Sequence, residues 1–526
     1  MSSTHNILVI SDLHLGEGLE PQNPSSTTSY DVLLAERQLV EFLRTYTRRR
    51  ADGKPWRLVI NGDMIDFVSM CVYPARKSDQ DTPRPQDASE FSSWLLEERT
   101  YGLQRRLDAA CAQVRAVLRY HRAFFEALAS FLAAGNALEI TSGNHDTEFF
   151  WPEVQEVLTD GIVDIWAHMA EAARPGAMSL AELRARIRFH HWFYYEPGVA
   201  WIEHGHQYDD CCSYEYNFHP VDKTGQVMDT NVDTAAMRYL NNQLSERAHG
   251  SEEWSGMGYL RFAAGLGWRG AWRMVRGYHM FATSLLRQWR MARISRSRRT
   301  RRRIHRERLR ELASRSALPE SVLRQLDGLQ RPPVITRLLP ILQAVMLDKV
   351  IIWLLALVVV LGMWMTTPLW MAALATALAV PGGLQVIHWL DRKRSVDPVL
   401  PLRLAPASIA RLIDVRYVIF GHTHQPLAEQ AAPPDAVRDT WYLNTGTWVP
   451  TGKQGLLNSF THAVIRVTPR GAVEGGLCQW RDGASQAFEP AESSNAEPAV
   501  GKPALRPALF EQPERQLAPV GRREAV

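Results

Sequence analysis

The sequence is poor in cysteine, and this scarcity excludes one class of architecture. Only five cysteines occur in 526 residues, and two of them, Cys211 and Cys212, are adjacent. The paired spacing that disulfide scaffolds use is absent, so such a scaffold is excluded and a reducing compartment is expected. The first residues also lack a basic stretch followed by a long apolar run, which predicts that there is no signal peptide.

A strong net charge is absent as well. The formal net charge is +4 and 46% of the residues are hydrophobic, a composition that excludes a mostly disordered chain. The sequence contains no internal repeat. A chain of 526 residues is too long for one ordinary hydrophobic core, so two or more structural units are expected.

Charge is missing almost completely from residues 350–390, where His388 is the only titratable side chain. The segment is either a buried core or a membrane hairpin, and so long an uncharged stretch favours the hairpin. Its first sixteen residues are uninterruptedly apolar and reach about 24 Å as a helix, less than the roughly 30 Å of a hydrocarbon core. We therefore predict a hairpin that turns at residues 366–368 and is shallow or re-entrant.

Positive charge flanks this apolar segment. Residues 290–310 contain eleven arginines and one acid, Glu307, within a Trp- and Arg-rich stretch over residues 254–310. This stretch suits an interfacial helix that faces anionic lipid. A solvated basic face and a contact with nucleic acid are the alternatives, and the neighbouring apolar hairpin favours lipid over both. Basic residues on both flanks place that side of the membrane in the cytoplasm.

The remaining pattern predicts an α/β fold. Short apolar runs at residues 7–11, 57–61 and 137–142 alternate with helical patterns at residues 32–48 and 101–134. Further strands are predicted at residues 186–195, 199–204, 415–421, 440–446 and 462–467. A sheet covered by helices follows from this alternation.

A long segment separates the predicted strand at residues 199–204 from the one at residues 415–421. It is first rich in tryptophan and arginine and then apolar, which predicts a helical insertion. The predicted division is a first catalytic part over residues 1–206, a helical insertion over residues 207–414, a second catalytic part over residues 415–483 and a disordered tail over residues 484–526.

Polar motifs follow five of the predicted strands. Ligands gather at the carboxyl ends of strands in layered α/β units, so these motifs are expected to meet in space. Their candidate residues are Asp12, His14, Asp63, Asp66, Asn144, His145, Asp146, His204, His206, His422 and His424. In the motif "GHTH" an extended backbone is predicted to point both imidazoles to the same side.

The candidate ligands are carboxylates, imidazoles and one amide oxygen, without a thiolate. Such a set suits manganese first, with iron or zinc as alternatives. Seven ligands are too many for one ion and fit two ions that share a carboxylate. Two ions roughly 3.5–4 Å apart hold a hydroxide and stabilise an in-line displacement at phosphorus.

The five motifs in this order resemble those of the calcineurin-like metallophosphoesterase superfamily: D-x-H, G-D-x-x-D, G-N-H-D/E, a later histidine and G-H-x-H. The resemblance covers residues 7–206 and 415–467 and implies a four-layer α-β-β-α sandwich with two metal ions, here interrupted by the insertion. The segment "NTGTW" at residues 444–448 resembles the part of the family that follows G-H-x-H.

The resemblance also implies a role for each residue. One ion would be held by Asp12, His14 and His424, the other by Asn144, His204 and His422, with Asp63 bridging. His145 would contact the scissile phosphate and assist the leaving group, and Asp146 would orient it. Asp66 would be structural, and His206 would support the ligands or contact phosphate.

The motif "HGHQYDD" is loosely similar to UDP-diacylglucosamine pyrophosphatases, which cleave a lipid-linked pyrophosphate. That branch commonly has arginine where this chain has His145, and its insertion is smaller. The predicted substrate is therefore broader: a phosphoester or pyrophosphate presented at an anionic membrane, hydrolysed by an enzyme that faces the cytoplasm. The alternatives are a soluble nucleotide phosphodiesterase or nuclease, and a non-catalytic metal-binding membrane scaffold.

Overall fold

The computed structural model describes residues 4–16, 28–70, 101–241, 267–344, 347–392, 399–431, 439–450 and 455–489. Within these residues the protein is mixed α/β and contains two β-sheets, each with parallel and antiparallel strands. The predicted α/β class is therefore confirmed.

The first sheet has seven strands: β1 (Asn6–Ile10), β2 (Trp56–Asn61), β3 (Ala137–Thr141), β4 (Ile187–His190), β10 (Thr461–Val467), β11 (Val473–Arg481) and β12 (Ala484–Ala487). Their order is β12-β11-β10-β1-β2-β3-β4. Strands β1 to β4 are parallel, with Leu8 opposite Leu58 and Leu58 opposite Leu138. Parallel strands are covered on both faces, which explains their nearly continuous apolar sequences.

The second sheet has five strands: β5 (Phe193–Glu196), β6 (Ala200–Glu203), β7 (Tyr417–Phe420), β8 (Leu427–Gln430) and β9 (Trp441–Asn444). Their order is β5-β6-β7-β9-β8, and β6, β7 and β9 are parallel. Apolar side chains of both sheets, among them Val9, Val59, Ile202, Ile419 and Ile465, form one core cluster. The two sheets therefore pack face to face.

The apolar run at residues 186–195, predicted as one strand, is two strands in different sheets. β4 pairs with β3 in the first sheet, and β5 pairs with β6 in the second. The chain changes sheets at His191 and Trp192, where the Trp192 indole donates to Glu203 at 2.5 Å. Because no glycine, proline or other turn residue marks this crossing, the sequence pattern alone does not reveal it.

Helices cover the outer face of the first sheet: α1 (Thr28–Arg48), α2 (Leu107–Tyr120), α3 (Arg122–Ala133), α4 (Pro152–Ala167) and α5 (Leu180–Arg184). Phe42 and Phe125 from these helices share a core with Leu8 and Ile60 of the sheet. The helical pattern predicted at residues 101–134 is two helices, α2 and α3, with His121 between them.

The segment predicted as an insertion contains α6 (Val232–Tyr239), α7 (Gly267–Ala292), α8 (Ser295–Arg315), α9 (Glu320–Asp327), α10 (Leu338–Ala344), α11 (Leu347–Thr366), α12 (Leu369–Arg392) and α13 (Val399–Leu412). Leu309, Leu323 and Ile409 of this segment pack with Trp201 and Phe420 on the outer face of the second sheet. Part of the insertion thus forms the layer that covers the outer face of the second sheet. Residues 254–266 of the predicted basic stretch lie outside the described residues.

Helices α11 and α12 form the predicted hairpin, which turns at Thr367 and Pro368. They contact each other where the Trp364 indole donates to Thr376 Oγ1 at 3.0 Å. The apolar window of α11 is 0% buried and that of α12 is 11% buried, so no described part of the body encloses the hairpin. The alternative interpretation of residues 350–390 as a buried core is therefore wrong.

The hairpin helices are longer than the uninterrupted apolar run. Helix α11 has 20 residues, and the apolar stretch of α12 has 22 because the helix continues through Pro381. At 1.5 Å per residue each reaches about 30 Å. Both are long and apolar enough to cross a membrane, which the sixteen-residue run did not indicate.

The predicted start of the disordered tail is also wrong. Residues 484–487 form β12, which pairs with β11 through a hairpin whose turn contains Asp482 and Gly483. Both turn residues have positive φ, at 50° and 72°, as hairpin turns of the Asp-Gly type require. Before β10 lies the short helix α14 (Gly455–Asn458). Residues 490–526 of the predicted tail lie outside the described residues.

Candidate metal centre

The predicted site residues follow strands that end at a common edge. Asp12 and His14 follow β1, Asp63 follows β2, and residues 144–146 follow β3. In the second sheet, His204 follows β6, and the two histidines of "GHTH" follow β7. The parallel strands of both sheets direct their carboxyl ends to this edge, so motifs far apart in sequence meet there.

The backbone at this edge is strained. Eight described residues other than glycine have positive φ, and five of them are candidate ligands: Asp12, His14, Asp63, His422 and His424. Asparagine, aspartate and histidine adopt this region more often than other L-residues do, but such strain still concentrates at functional sites. The concentration is a property of the backbone, separate from the sequence motifs, and supports this edge as the candidate functional site.

The "GHTH" motif is a turn, so the prediction of an extended backbone is wrong. His422 and His424 have φ of 69° and 56°. The turn starts at Gly421, where a Cβ atom would lie 2.6 Å from Asp12 Oδ2. Because of the turn, the two imidazoles point to different neighbours and not to the same side.

The first group of ligands surrounds the end of β1. His424 Nε2 lies 3.2 Å from Asp12 Oδ1 and 3.1 Å from His14 Nε2. Ligand atoms of these three residues all lie within 4.8 Å of one another. The "NTGTW" segment fixes the backbone here, because Thr447 Oγ1 and the Trp448 amide both donate to the Asp12 carbonyl oxygen.

The second group surrounds Asn144. Its amide oxygen lies 3.2 Å from His204 Nε2 and 3.0 Å from His422 Nδ1. The other nitrogen of His204, Nδ1, lies 2.9 Å from the Asn61 carbonyl oxygen, so Nε2 is the atom presented to the group.

Asp63 lies between the two groups. Its Oδ2 atom is 3.1 Å from His204 Nε2 in the second group and 4.0 Å from His14 Nε2 in the first. Its other oxygen accepts the His145 amide at 2.9 Å. The carboxylate is almost completely buried, at 1% exposure. This is the placement expected of a carboxylate shared by two cations.

The pKa of each titratable group in the site depends strongly on the charge of its neighbours. Burial opposes a charged imidazole, yet the hydrogen bond and charge of Asp66 raise the pKa of His14 to about 10. Burial also opposes protonation of His204, but the charge of Asp63 raises its pKa to about 9. In turn, burial disfavours ionised Asp63, while His204 holds the pKa of its carboxyl well below its usual range. The buried carboxylates thus require positive charge close by.

The donor set fits a divalent cation. Two imidazole nitrogens face each other at 3.1 Å, between His14 and His424, and buried carboxylates lie on either side. A cation between these atoms would satisfy all of them at once. Carboxylate, imidazole and amide donors suit manganese, iron or zinc.

The prediction that Asp146 orients His145 is wrong. The Asp146 carboxylate accepts the backbone amides of Gly143 and Met64, at 2.6 and 2.8 Å, and so shapes the turn. Asp66 contacts His145 instead, with 3.0 Å between Oδ1 and Nδ1. Its second oxygen lies 3.2 Å from His14 Nδ1. The residue predicted as structural therefore orients two histidines of the site.

His206 is buried beside His204, with ring centroids 5.6 Å apart. Its Nδ1 has no hydrogen-bond partner among the described residues. Burial, together with the nearby His204 and His422, holds its pKa well below the usual value, so the ring is neutral. The contact with His204 favours the supporting role over a contact with phosphate.

Two residues of the site were not predicted from the sequence. Asp209 Oδ2 lies 3.2 Å from His422 Nε2, and Asp233 Oδ2 lies 3.7 Å from His145 Nε2. Asp209 belongs to the quoted motif "HGHQYDD", which was the available signal. Asp233 follows Asn231 at the start of α6 and resembles any acidic residue in the first turn of a helix.

Comparison with known proteins adds no independent assignment. No protein-family model matches the chain, and neither the curated proteins nor the solved structures yield a match. Buried clusters of histidine and aspartate that could hold a metal ion, and two helices able to cross a membrane, are therefore what the molecule itself shows.

Proposed function

We propose that this protein is a metal-dependent phosphoesterase of the calcineurin-like metallophosphoesterase superfamily, acting on a phosphoester or pyrophosphate bond of a membrane-associated or lipid-linked substrate. The observation that carries the proposal is the convergence of seven candidate ligands, six of them in two groups on either side of Asp63. Two facing sheets with helices on both outer faces support it, because the superfamily's sandwich has these layers.

The residues would divide between two cations. One would be held by Asp12, His14 and His424, the other by Asn144, His204 and His422, with Asp63 shared. When bound, such a pair supplies Lewis-acid activation of water and neutralises charge on the phosphoryl oxygens.

His145 would supply the proton for the leaving oxygen. The Asp66 carboxylate accepts a hydrogen bond from Nδ1 of His145. Nε2 of His145 is therefore directed into the site. Burial opposes protonation, but Asp66 and Asp63 raise the pKa of His145 well above its usual value. The ring therefore carries the proton that an alkoxide or phosphate leaving group requires.

The exposed hairpin supports a membrane location. Leu355, Val359 and Leu361 are each more than half exposed, and apolar side chains at this density are unfavourable in water. Both ends of a hairpin lie on one side of the bilayer, as they must because His204 and His422 share one site. The arginines of α8 support a cytoplasmic location for that side.

Not all of these arginines are available to bind lipid or nucleic acid. Arg301 is paired with Asp229, and Arg308 donates to the Phe218 carbonyl oxygen at 2.9 Å. Others, such as Arg299 and Arg302, are exposed and belong to a basic surface. This surface supports contact with an anionic membrane, and it is the feature on which the nuclease alternative also depends.

The test is a hydrolysis screen of the full-length, manganese-loaded protein. The panel should contain phosphomonoesters, phosphodiesters, lipid-linked pyrophosphates and single-stranded DNA. Turnover of a lipid-linked substrate above all others is expected. Preference for DNA with a steep salt dependence would favour the nuclease, and no turnover across the panel would favour the scaffold.

A further inference from the structure

Two carboxylates from the segment between the catalytic parts contact the second group of ligands. Asp233 Oδ2 lies 3.3 Å from Asn144 Nδ2, and Asp209 Oδ2 lies 3.2 Å from His422 Nε2. We propose that Asp209 and Asp233 are positioning residues that orient two ligands of the second cation, so that the inserted segment completes one half of the metal centre. This proposal rests on the proposed two-cation function.

Asp233 determines which end of the Asn144 side chain faces the site. An ionised carboxylate only accepts hydrogen bonds, so it can approach the amide nitrogen but not the amide oxygen. With Nδ2 held by Asp233, the oxygen is directed towards His204 and His422. Only the oxygen is a useful ligand for a hard cation, because the amide nitrogen has no free lone pair.

Asp209 determines which nitrogen of the His422 ring faces the site. With Nε2 donating to the carboxylate, Nδ1 carries the lone pair and lies 3.0 Å from Asn144 Oδ1. Histidine ligands of metals are commonly oriented in this way by a carboxylate on their second nitrogen. Asp209 is itself held by the backbone amide of Cys211, at 2.8 Å.

The inserted segment holds Asp233 firmly. Asn231 caps α6, accepting from the Thr234 amide at 2.8 Å and donating to the Cys212 carbonyl oxygen at 2.7 Å. An acidic side chain in the first turn is also favoured by the helix dipole. Behind it, Val232 packs in a core with Phe281 of α7. The position of Asp233 therefore depends on the fold of the insertion.

The ligands proposed for the first cation are oriented by a residue outside the inserted segment. Asp66, which lies in the first catalytic part, orients His14, and no contact from the inserted segment to Asp12 or His14 is found among the described residues. Loss of the insertion's carboxylates should therefore affect one cation and spare the other. This asymmetry makes the proposal testable by counting ions.

The experiment titrates Mn²⁺ into the metal-free, full-length protein and follows binding by calorimetry and by electron paramagnetic resonance. Asp233→Ala removes the acceptor, whereas Asp233→Asn keeps an oxygen that can accept from the Asn144 amide. Asp222→Ala, at an exposed turn of the same segment, is the control for general effects on the insertion.

The unsubstituted protein should bind two ions with the coupled spectrum of a manganese pair. Asp233→Ala should bind the first ion normally and the second about 10–100-fold more weakly, as other orienting partners of metal ligands do. Asp233→Asn should recover most of this loss, and Asp222→Ala should show none. Equal weakening of both ions, or two normal ions in Asp233→Ala, would overturn the proposal. Fewer than two ions in the unsubstituted protein would instead refute the proposed function.

Discussion

The candidate metal centre buries ionisable side chains, whereas the hairpin exposes apolar side chains. At the centre, ionisable side chains such as Asp12 and Asp63 are buried at 0% and 1% exposure. In the hairpin, apolar side chains such as Leu355 and Val358 are exposed at 60% and 64%. Buried charge and exposed apolar surface are both unfavourable for a protein alone in water.

Each departure therefore favours a partner that is not protein. Cations would satisfy the buried carboxylates and facing imidazoles, and lipid chains would satisfy the exposed apolar helices. If the two regions serve these separate partners, changes in one should leave the partner of the other unaffected. The four predictions below test that separation, beginning with the largest expected effect.

Asp63→Asn should abolish hydrolysis while the protein remains folded and bound to membranes. Asparagine tolerates the positive φ of 51° at this position but lacks the charge that two cations would share. Loss of several kcal/mol of charge stabilisation predicts a decrease in kcat on the order of a thousandfold or more. Steady-state kinetics and vesicle flotation of the same preparation measure both properties.

The matched control for this change is Asp482→Asn, which makes the same substitution at φ 50° on the exposed turn before β12. It should leave kcat unchanged. Near-normal turnover in Asp63→Asn would contradict the assignment of the shared carboxylate.

Leu355→Lys combined with Val359→Lys should release the protein from vesicles. Both residues lie near the middle of α11, where each charge costs about 3 kcal/mol in a bilayer. Because long lysine side chains reach towards the headgroups and recover about half of this cost, a decrease in partitioning of about a hundredfold is expected, with hydrolysis of a small soluble phosphodiester unchanged. Unaltered flotation would show that α11 does not enter the bilayer.

Metal affinity should increase as the pH rises from 6 to 9. Burial, offset by neighbouring carboxylates, leaves the pKa of His14 at about 10 and that of His204 at about 9 before a cation binds. Both rings are therefore protonated at neutral pH, and a cation must displace those protons. Each displaced proton contributes up to about tenfold in affinity per pH unit.

This pH dependence is measured by Mn²⁺ titrations at several pH values in buffers of different ionisation enthalpy. Proton release on binding should be detected at pH 7. The fraction of protein that floats with vesicles should not follow the same curve. A metal affinity independent of pH would contradict the protonation scheme.

Trp268→Ala combined with Trp272→Ala should weaken membrane binding only a few-fold. The two rings are 82% and 61% exposed, stack at 6.5 Å and lie on α7. Interfacial tryptophans contribute less than a spanning helix, so flotation should decrease by roughly threefold to tenfold. No change would show that this part of α7 faces water.

Much of the fold was predictable because its strands are short, apolar and separated by clear helical patterns. β1, β2, β3, β6, β7, β9 and β10 all overlap predicted runs, and β1, β2 and β10 begin one residue before them. The sheet change at His191 was not predictable, because no glycine, proline or other turn residue marks it. β12 was missed although its Asp-Gly turn is a recognised hairpin signal.

The candidate site was predictable at the level of residues but not of their contacts. Motifs named the seven candidate ligands, since each motif follows a strand whose end could be placed. The roles of Asp66 and Asp146 were exchanged, because sequence adjacency to His145 does not determine which carboxylate its ring meets. Asp233 depends on how the insertion docks, and no local pattern encodes that.

The position of the hairpin in the chain also sets the order in which the candidate ligands are synthesised. Asp12, Asp63 and His204 leave the ribosome before α11, whereas His422 and His424 follow α12. At about 5–20 residues per second, the last two imidazoles appear roughly 10–40 s after His204. A nascent chain therefore has an incomplete set of candidate ligands until its hairpin has been synthesised, and the proposed hydrolysis would begin only after that point.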